Sequence, residues 1–256
     1  PDCESFITFL FDYRDAKKFQ LENNPTQKIA SYTVGFDDQD YHYWIKEKLD
    51  FIGNYLKEKH PKLEYQISLD IHPVLERDLA QRAGLGWFGK NSMLINKSFG
   101  SYQLIGSLLL NQKLEVASRE IEVDHCGNCT RCIDACPTKA ILPGRRTIDS
   151  SLCISTFTIE TFKDEAAPAG YPVESQEVFG CDICQEVCPW NRKPLSVTSP
   201  LQESKLVSFF NRDLNLIIQD IESMSNKGFK TFFKHTSFER VGKRGLLKNL
   251  RPYLKD

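Results

Sequence analysis

No stretch of this 256-residue sequence stays apolar for the roughly 20 residues that a bilayer-spanning helix needs. Nor does its start combine a basic segment with a small-residue cleavage site. A membrane protein and a secreted precursor are thereby disfavoured, and a soluble, reducing, cytoplasmic setting is expected. An excess of one charge is also missing, since 33 Lys and Arg stand against 34 Asp and Glu. Taken whole, that balance argues against a nucleic-acid binder held by a global positive field. Cysteine is almost absent outside one window: of nine, only Cys3 lies outside residues 126–188. A disulfide-stapled secreted domain would spread them through a shorter chain.

The length is sufficient for one large or two modest domains with a real core. The charge is unevenly placed. Residues 226–256 hold nine Lys or Arg against Glu239 and Asp256, a net of +7, which leaves −8 on residues 1–225. Residues 1–115 alternate apolar extended runs with amphipathic helical ones, the pattern of an α+β or mixed α/β domain. Strands are expected at Ser5–Phe11, Lys28–Val34, Tyr65–Leu69, Ser92–Ile95 and Tyr102–Leu110. Ile45, Leu49, Ile52 and Leu56 mark a helix ending at His60-Pro61. A further helix is expected to start near Pro73, carry Leu75, Leu79 and Ala83, and exit at Gly84.

From Asp124 to Arg192 periodicity collapses and Cys, Pro and Gly take over, so bound inorganic cofactors are expected to hold residues 116–200 together. Residues 201–256 read as a basic, repeat-like helical segment without a convincing internal repeat. In it, Thr236 and Glu239 have capping-box spacing ahead of an amphipathic helix towards Leu250.

Cys126-x2-Cys129-x2-Cys132-x3-Cys136-Pro137 has the spacing of a bacterial ferredoxin, in which three thiolates hold one 4Fe-4S cluster and the fourth reaches a second. Cys181-x2-Cys184-x3-Cys188-Pro189 repeats the run without its first cysteine, and the lone Cys153 can replace it. The crossover rule assigns Cys126, Cys129, Cys132 and Cys188 to one cluster and Cys136, Cys153, Cys181 and Cys184 to the other. Structural zinc is the competing reading of paired CxxC motifs, but the uniform gaps and the trailing prolines favour iron. Cys3, beside an apolar strand, is expected to be a buried inert thiol.

Gly84-Leu85-Gly86-Trp87-Phe88-Gly89-Lys90-Asn91 matches both GxGxxG and GxxxxGK, yet it follows a helix and precedes a strand, the reverse of a dinucleotide or phosphate loop. A tight turn, or the border of a flat polar cofactor, is expected instead.

The stretch Asp70-Ile71-His72-Pro73-Val74-Leu75-Glu76-Arg77, continuing through Ala83 to Asn91, resembles the signature region of epoxyqueuosine reductases. So do Asp40-Tyr41-His42, Cys136-Pro137-Thr138-Lys139-Ala140, Thr158-Ile159-Glu160 and the run from Phe179 to Asn191. The resemblance covers nearly the whole chain. Family members are usually longer at the N-terminus, consistent with the abrupt start at Pro1-Asp2-Cys3 before a strand.

The resemblance implies an oxidoreductase that uses cobalamin and two 4Fe-4S clusters to reduce epoxyqueuosine to queuosine at the tRNA wobble position. It implies a monomer supplied by an external low-potential electron donor. By carry-over Asp70 is the proton donor. His42, Arg77, Lys90 and Asn91 fall in motifs around the corrin or substrate, and Thr33, Ser155 and Asp182 at neighbouring cofactor positions. To protonate a departing oxygen at neutral pH, Asp70 would need its pKa raised by burial. Ser155 and Asp182 place the cluster of Cys136, Cys153, Cys181 and Cys184 nearest cobalt. Lys243, Arg244, Lys248 and Arg251 are expected to meet tRNA phosphates, among nine basic residues that run to Lys255. Trp87 and Trp190 are candidates for stacking or for core. A reductive dehalogenase, a ferredoxin-type electron carrier and a zinc-stabilised RNA-binding module are the rival readings. The basic end disfavours the first, because a small organohalide needs no polyanion site.

Overall fold

The structure, a computed structural model, describes residues 2–115, 120–161, 165–168, 170–193, 195 and 199–254. In chain order it places β1 (Ser5–Asp12), α1 (Arg14–Asn23), β2 (Lys28–Ile29), α2 (Tyr41–Lys59), β3 (Tyr65–Ser68), α3 (Glu76–Arg82), β4 (Trp87–Phe88), β5 (Leu94–Ile95) and β6 (Gln103–Leu110). Short helices α4 (Arg131–Ala135), α5 (Ile183–Glu186) and α6 (Pro189–Arg192) follow, with β7 (Glu177–Phe179) ahead of α5. The chain closes with α7 (Lys205–Phe210), α8 (Leu214–Ser223), α9 (Asn226–Phe232) and α10 (Phe238–Leu250). Among the described residues no helix is long and apolar enough to cross a membrane.

The α+β class is as expected. β6 is the middle strand of an antiparallel sheet ordered β1-β6-β3, with Phe9 opposite Gly106 and Ile67 opposite Leu108. The apolar stripe of α2 lies on this sheet, where Ile45 and Leu49 are fully buried. Burying such a side chain contributes about 1.5–3 kcal/mol. Gly106 permits the approach, since a Cβ there would meet Ile45 and Leu49 methyls at 3.0 Å each.

A second core ignores the boundaries that composition suggests. Ala16, Phe19, Ile29 and Val34 pack with Val178 and Phe179 and with Phe210, Phe233, Phe238 and Leu250 of the last helices. The Phe210 and Phe238 rings stack at 5.1 Å between centroids. β2 also pairs in parallel with β7, so the first residues of the chain clamp the cysteine-rich segment against the C-terminal helices.

Several local expectations are corrected. The strand sought over Lys28–Val34 stops at Ile29, because the Ser31 amide donates to Asp182 and Ser31–Thr33 turns into a 3-10 helix. Only Leu94–Ile95 of the Ser92–Ile95 run is strand. α3 begins at Glu76 rather than near Pro73, which leaves Leu75 at its N-cap and 80% exposed. The capping box does not form: Glu239 accepts from the His235 amide rather than that of Thr236, the Thr236 hydroxyl donates to the Phe233 carbonyl, and Ser237 is the N-cap of α10. Cys3 is exposed rather than buried. The glycine turn is the β4–β5 hairpin, in which a Cβ on Gly86 would stand 2.2 Å from the Ile95 carbonyl oxygen. Close backbone packing therefore explains these glycines without a phosphate.

Candidate active site and iron-sulfur module

All eight clustered cysteines are free thiols, and two cavities divide them by fours. Cys126, Cys129, Cys132 and Cys188 wall the first together with Lys90 and Trp190. Cys136, Cys153, Cys181 and Cys184 wall the second together with Met93 and Ser155. This is the crossover pattern of the spacing rule, produced by very short helices. α4 carries Cys132 and ends at Cys136, since Pro137 cannot continue it, whereas Pro189 after Cys188 opens α6 at a position that suits proline. Burial pushes the Cys188 thiol up to about 11 and raises Cys184 and Cys181 further. Thiolates in such surroundings need a cation in place of the proton.

Among the described residues no three His, Cys, Asp or Glu side chains converge tightly enough for a single metal ion. Structural zinc requires such convergence, with sulfur about 2.3 Å from the ion. Four thiols around a cavity suit a cubane instead.

Most carried-over polar residues tie the architecture together. Asp182 is buried and accepts from the Ser31 amide at 2.9 Å and from the Ser31 hydroxyl, with the Lys17 ammonium 3.5 Å away. Thr33 is fully buried and donates to the Ala30 carbonyl. Lys90 donates to the Gly127 and Cys129 carbonyls at 2.7 and 2.9 Å, fastening the hairpin to the first cluster loop. Asn91, 1% exposed, lies between Cys184 and Met93. Arg77 donates to the Ser92 carbonyl and, at 2.7 Å, to its hydroxyl. Asp182, Lys90 and Asn91 link the N-terminal region to the cysteine module, whereas the bonds of Thr33 and Arg77 stay within the N-terminal region. Of Thr33, Ser155 and Asp182, Ser155 is the one at the wall of a cysteine cavity. Trp87 is core, 1% exposed and edge-on to Trp190 at 5.0 Å.

Asp70 is placed differently. It follows β3 in a turn anchored by buried Leu69, whose amide donates to His72 Nδ1 at 3.1 Å, and its own side chain is 52% exposed. His42 approaches from the first turn of α2. Its Nε2 lies 2.8 Å from Asp70 Oδ1 and its Nδ1 2.6 Å from Oδ1 of Asp40, the α2 N-cap. Tyr41 donates its hydroxyl to the other Asp70 oxygen.

Burial would raise the Asp70 carboxyl, but the hydrogen bonds from His42 and Tyr41 outweigh it and hold Asp70 below the ordinary carboxylate range. Burial would lower His42, yet the bonds and charges of Asp40 and Asp70 push it up to about 9. These shifts run opposite to the raised carboxyl expected of a proton donor, since the hydrogen bonds favour the Asp70 carboxylate and the His42 imidazolium. Asp40, Tyr41 and Glu76 were missed as site residues. The Asp40-Tyr41-His42 motif was the available signal, because a helix N-cap brings all three to one helix end.

The charge of Arg240 also reaches Asp70, and Arg240 pairs with Glu160 at the end of the helical turn Thr156–Glu160 that follows Cys153. Arg240 thus links Asp70 electrostatically to the segment that follows Cys153. Ile71 and Leu75, 66% and 80% exposed, flank Asp70 with apolar surface. The exposed apolar side chains of Ile71 and Leu75 beside Asp70 suit the face of a broad ring, and Ser155 lines the second cysteine cavity.

The basic residues at the C-terminus separate by exposure. Arg244 and Arg251 are exposed beside one surface depression. Lys243 donates to the Glu222 and Met224 carbonyls. Lys248 is buried, donating to the Phe157 and Thr161 carbonyls with its ammonium 4.0 Å from the Phe157 ring centroid. A phosphate contact from Lys248 is therefore corrected to an internal tie, because its charge does not reach solvent. Lys255 lies outside the described residues.

Fold and site define an α+β oxidoreductase built around a two-cluster iron-sulfur module. A family model described as a 4Fe-4S double cluster binding domain matches residues 125–191, and one described as epoxyqueuosine reductase QueG, DUF1730, matches residues 1–71. The chain is 38% identical over 249 residues to an epoxyqueuosine reductase of Cyclobacterium marinum, covering 97% of this chain and 75% of that one. It is 37% identical over 250 residues to that of Leadbetterella byssophila, covering 97% and 76%. The structure of epoxyqueuosine reductase from Streptococcus thermophilus superposes with a TM-score of 0.75 at 30% identity, over 89% of this chain and 57% of that one. This chain belongs to the epoxyqueuosine reductase family.

Proposed function

We propose that this chain reduces epoxyqueuosine to queuosine at the wobble position of tRNA, with Asp70 as proton donor and with cobalamin and two 4Fe-4S clusters as cofactors. Family membership supports the reaction. The observation that carries the site assignment is the exposed Asp70 carboxylate, bonded to His42 and Tyr41 and within reach of the charge of Arg240, which pairs with Glu160. In this reading residues 1–115 bind the corrin and substrate, residues 116–200 form the ferredoxin-like module, and residues 201–256 supply basic surface.

Converting an epoxide to an alkene consumes two electrons and two protons and releases water. The clusters, held by their two sets of four cysteines, supply electrons singly from an external low-potential donor. Cobalamin, when bound, supplies a cobalt centre able to deliver electrons to the epoxide. The protein's own part is positional and protonic. Ile71 and Leu75 give apolar contact, Ser155 a polar one, and Asp70 passes a proton to the departing oxygen. Lys90, Asn91 and Asp182 hold the two modules in register, and Arg77 ties α3 to the Ser92 turn within the first.

Anaerobically purified chain, reconstituted with iron and sulfide, is expected to convert the epoxide nucleoside of tRNA only when cobalamin and a reductant are both added, read by mass spectrometry of digested tRNA. Conversion without cobalamin would overturn the cofactor assignment.

A neighbour of the same fold, at 22% identity and a TM-score of 0.68, was solved "with a tRNA-TYR epoxyqueuosine-modified tRNA stem loop". A tRNA partner here gives exposed Arg244 and Arg251 a role in neutralising phosphates. Replacing both with Ala is expected to weaken tRNA binding and to reduce the slope of log affinity against log salt by roughly 1.5, from about 0.7–0.9 per lost phosphate contact. An unchanged slope removes both from the interface.

A further inference from the structure

The acid that faces the substrate is not the group that holds the proton, and the structure supplies a source next to it. We propose that His42, clamped between Asp40 and Asp70, is the proton reservoir of the reaction, recharging Asp70 after each transfer. The proposal rests on the reading of Asp70 as the proton donor.

The geometry is linear: Asp40 Oδ1 to His42 Nδ1 is 2.6 Å, and His42 Nε2 to Asp70 Oδ1 is 2.8 Å. An imidazole between two carboxylates accepts a proton at one nitrogen while releasing one from the other, so it can relay protons without rotating. Asp40 is fixed twice, capping α2 through the His42 amide at 3.0 Å and donating its own amide to the His235 carbonyl at 2.7 Å. His42 is thus a positioning residue that acts through Asp70. Asp70 and Tyr41 occupy its solvent side, and Glu76, pushed up to about 7 by burial and by the charge of Asp70, lies near the same carboxylate. Burial and the positive end of α2 disfavour the imidazolium, and Asp40 and Asp70 outweigh them, while the charge of Arg240 acts on Asp70.

The stoichiometry closes on this arrangement. Both C–O bonds of the epoxide break, a C=C bond forms, two electrons arrive from the external donor, and oxygen leaves as water with two protons. The first proton passes from His42 through Asp70 to the oxygen. The neutral imidazole then takes a second from solvent and passes it on by the same route, and one further uptake from solvent restores the imidazolium, so two solvent protons are consumed per turnover.

The test uses the cluster- and cobalamin-loaded chain. Turnover of the native chain is expected to fall as pH rises through about 9, the value to which Asp40 and Asp70 lift His42. Asp40→Asn, which keeps the helix cap, should move that limb to lower pH because one anionic neighbour is gone. His42→Gln, which keeps a donor to Asp70 but no labile proton, should lose the limb and about 100-fold in turnover at neutral pH. Cluster and corrin absorbance should be unchanged in both. A titration of the imidazole by NMR in the cluster-loaded chain, with His42→Gln assigning it among five histidines, checks the proton's place without reference to activity.

A native profile in His42→Gln, or an unmoved limb in Asp40→Asn, overturns the reservoir. The control is Asp70→Asn. If it is inactive while His42→Gln is native, only the reservoir fails; if it is fully active, the reading of Asp70 fails with it.

Discussion

Asp70→Asn is expected to lose between about 100-fold and 10,000-fold in turnover of tRNA-borne epoxyqueuosine while keeping both clusters and cobalamin absorbance. The substitution preserves shape and an oxygen that can accept from Tyr41 Oη, so the fold around β3 has no reason to change. What disappears is a group that can take a proton from His42 and surrender it to an oxygen. The same change removes one of the two anions that raise His42, whose pKa should fall from about 9 towards its ordinary value.

The sign of the stability effect follows. A raised histidine stabilises the fold fully below about pH 6.5, its ordinary pKa, and that stabilisation is lost as pH rises through about 9. The native chain should therefore lose thermal stability between those values, and Asp70→Asn should lose less and at lower pH. Melting curves across the window read this directly. An Asp70→Asn chain with native turnover would remove the assignment of the acid.

Cys153→Ala has the second large consequence. Cys153 stands alone between the two cysteine runs, yet it completes the wall of the cavity containing Cys136, Cys181 and Cys184. Three thiols without their fourth partner cannot close a cubane with four thiolates. Bound iron is expected to fall from about eight to about four per chain, while the cluster of Cys126, Cys129, Cys132 and Cys188 remains reducible. Turnover should drop to the level of protein lacking reductant, because electrons then have no second centre through which to leave the first. Cys129→Ala, on the opposite cavity, should remove the other half of the iron. If Cys153→Ala retains full iron, exposed Cys3 is the only cysteine outside the two cavities left to substitute.

The cysteine assignment was legible because it is a local code. Spacing of two and three residues, with proline after the last thiol, dictates short helices whose geometry leaves little choice of ligand. The α2 stripe was equally legible, since Ile45 and Leu49 meet the sheet at helical period. Signals that depend on partners distant in sequence were not. Lys248 looks like any other basic residue of the C-terminal helix, and its inward course is set by the carbonyls of Phe157 and Thr161. Asp182 has the credentials of a cofactor contact until Ser31 and Lys17 are seen on its oxygens. Strand β2 ends early for the same reason, since a carboxylate 151 residues away takes the Ser31 amide. The boundary at residue 200 followed composition, whereas Phe210 and Phe238 share a core with Ile29 and Phe179.

The charge balance behaves in the same way. The near-zero total conceals a +7 terminus, which sequence reveals once the chain is divided. Which of those charges remain at the surface is a matter of packing: Arg244 and Arg251 do, and Lys248 does not. By itself the sequence determined the two sets of four thiols, the α+β class and the family motifs, because each is written in spacings of a few residues. Tertiary structure alone decided where the proton rests. That depends on Asp40, His42 and Asp70 meeting across the gap between the start of α2 and the end of β3, where two carboxylates raise one imidazole and the imidazole in turn favours the Asp70 carboxylate.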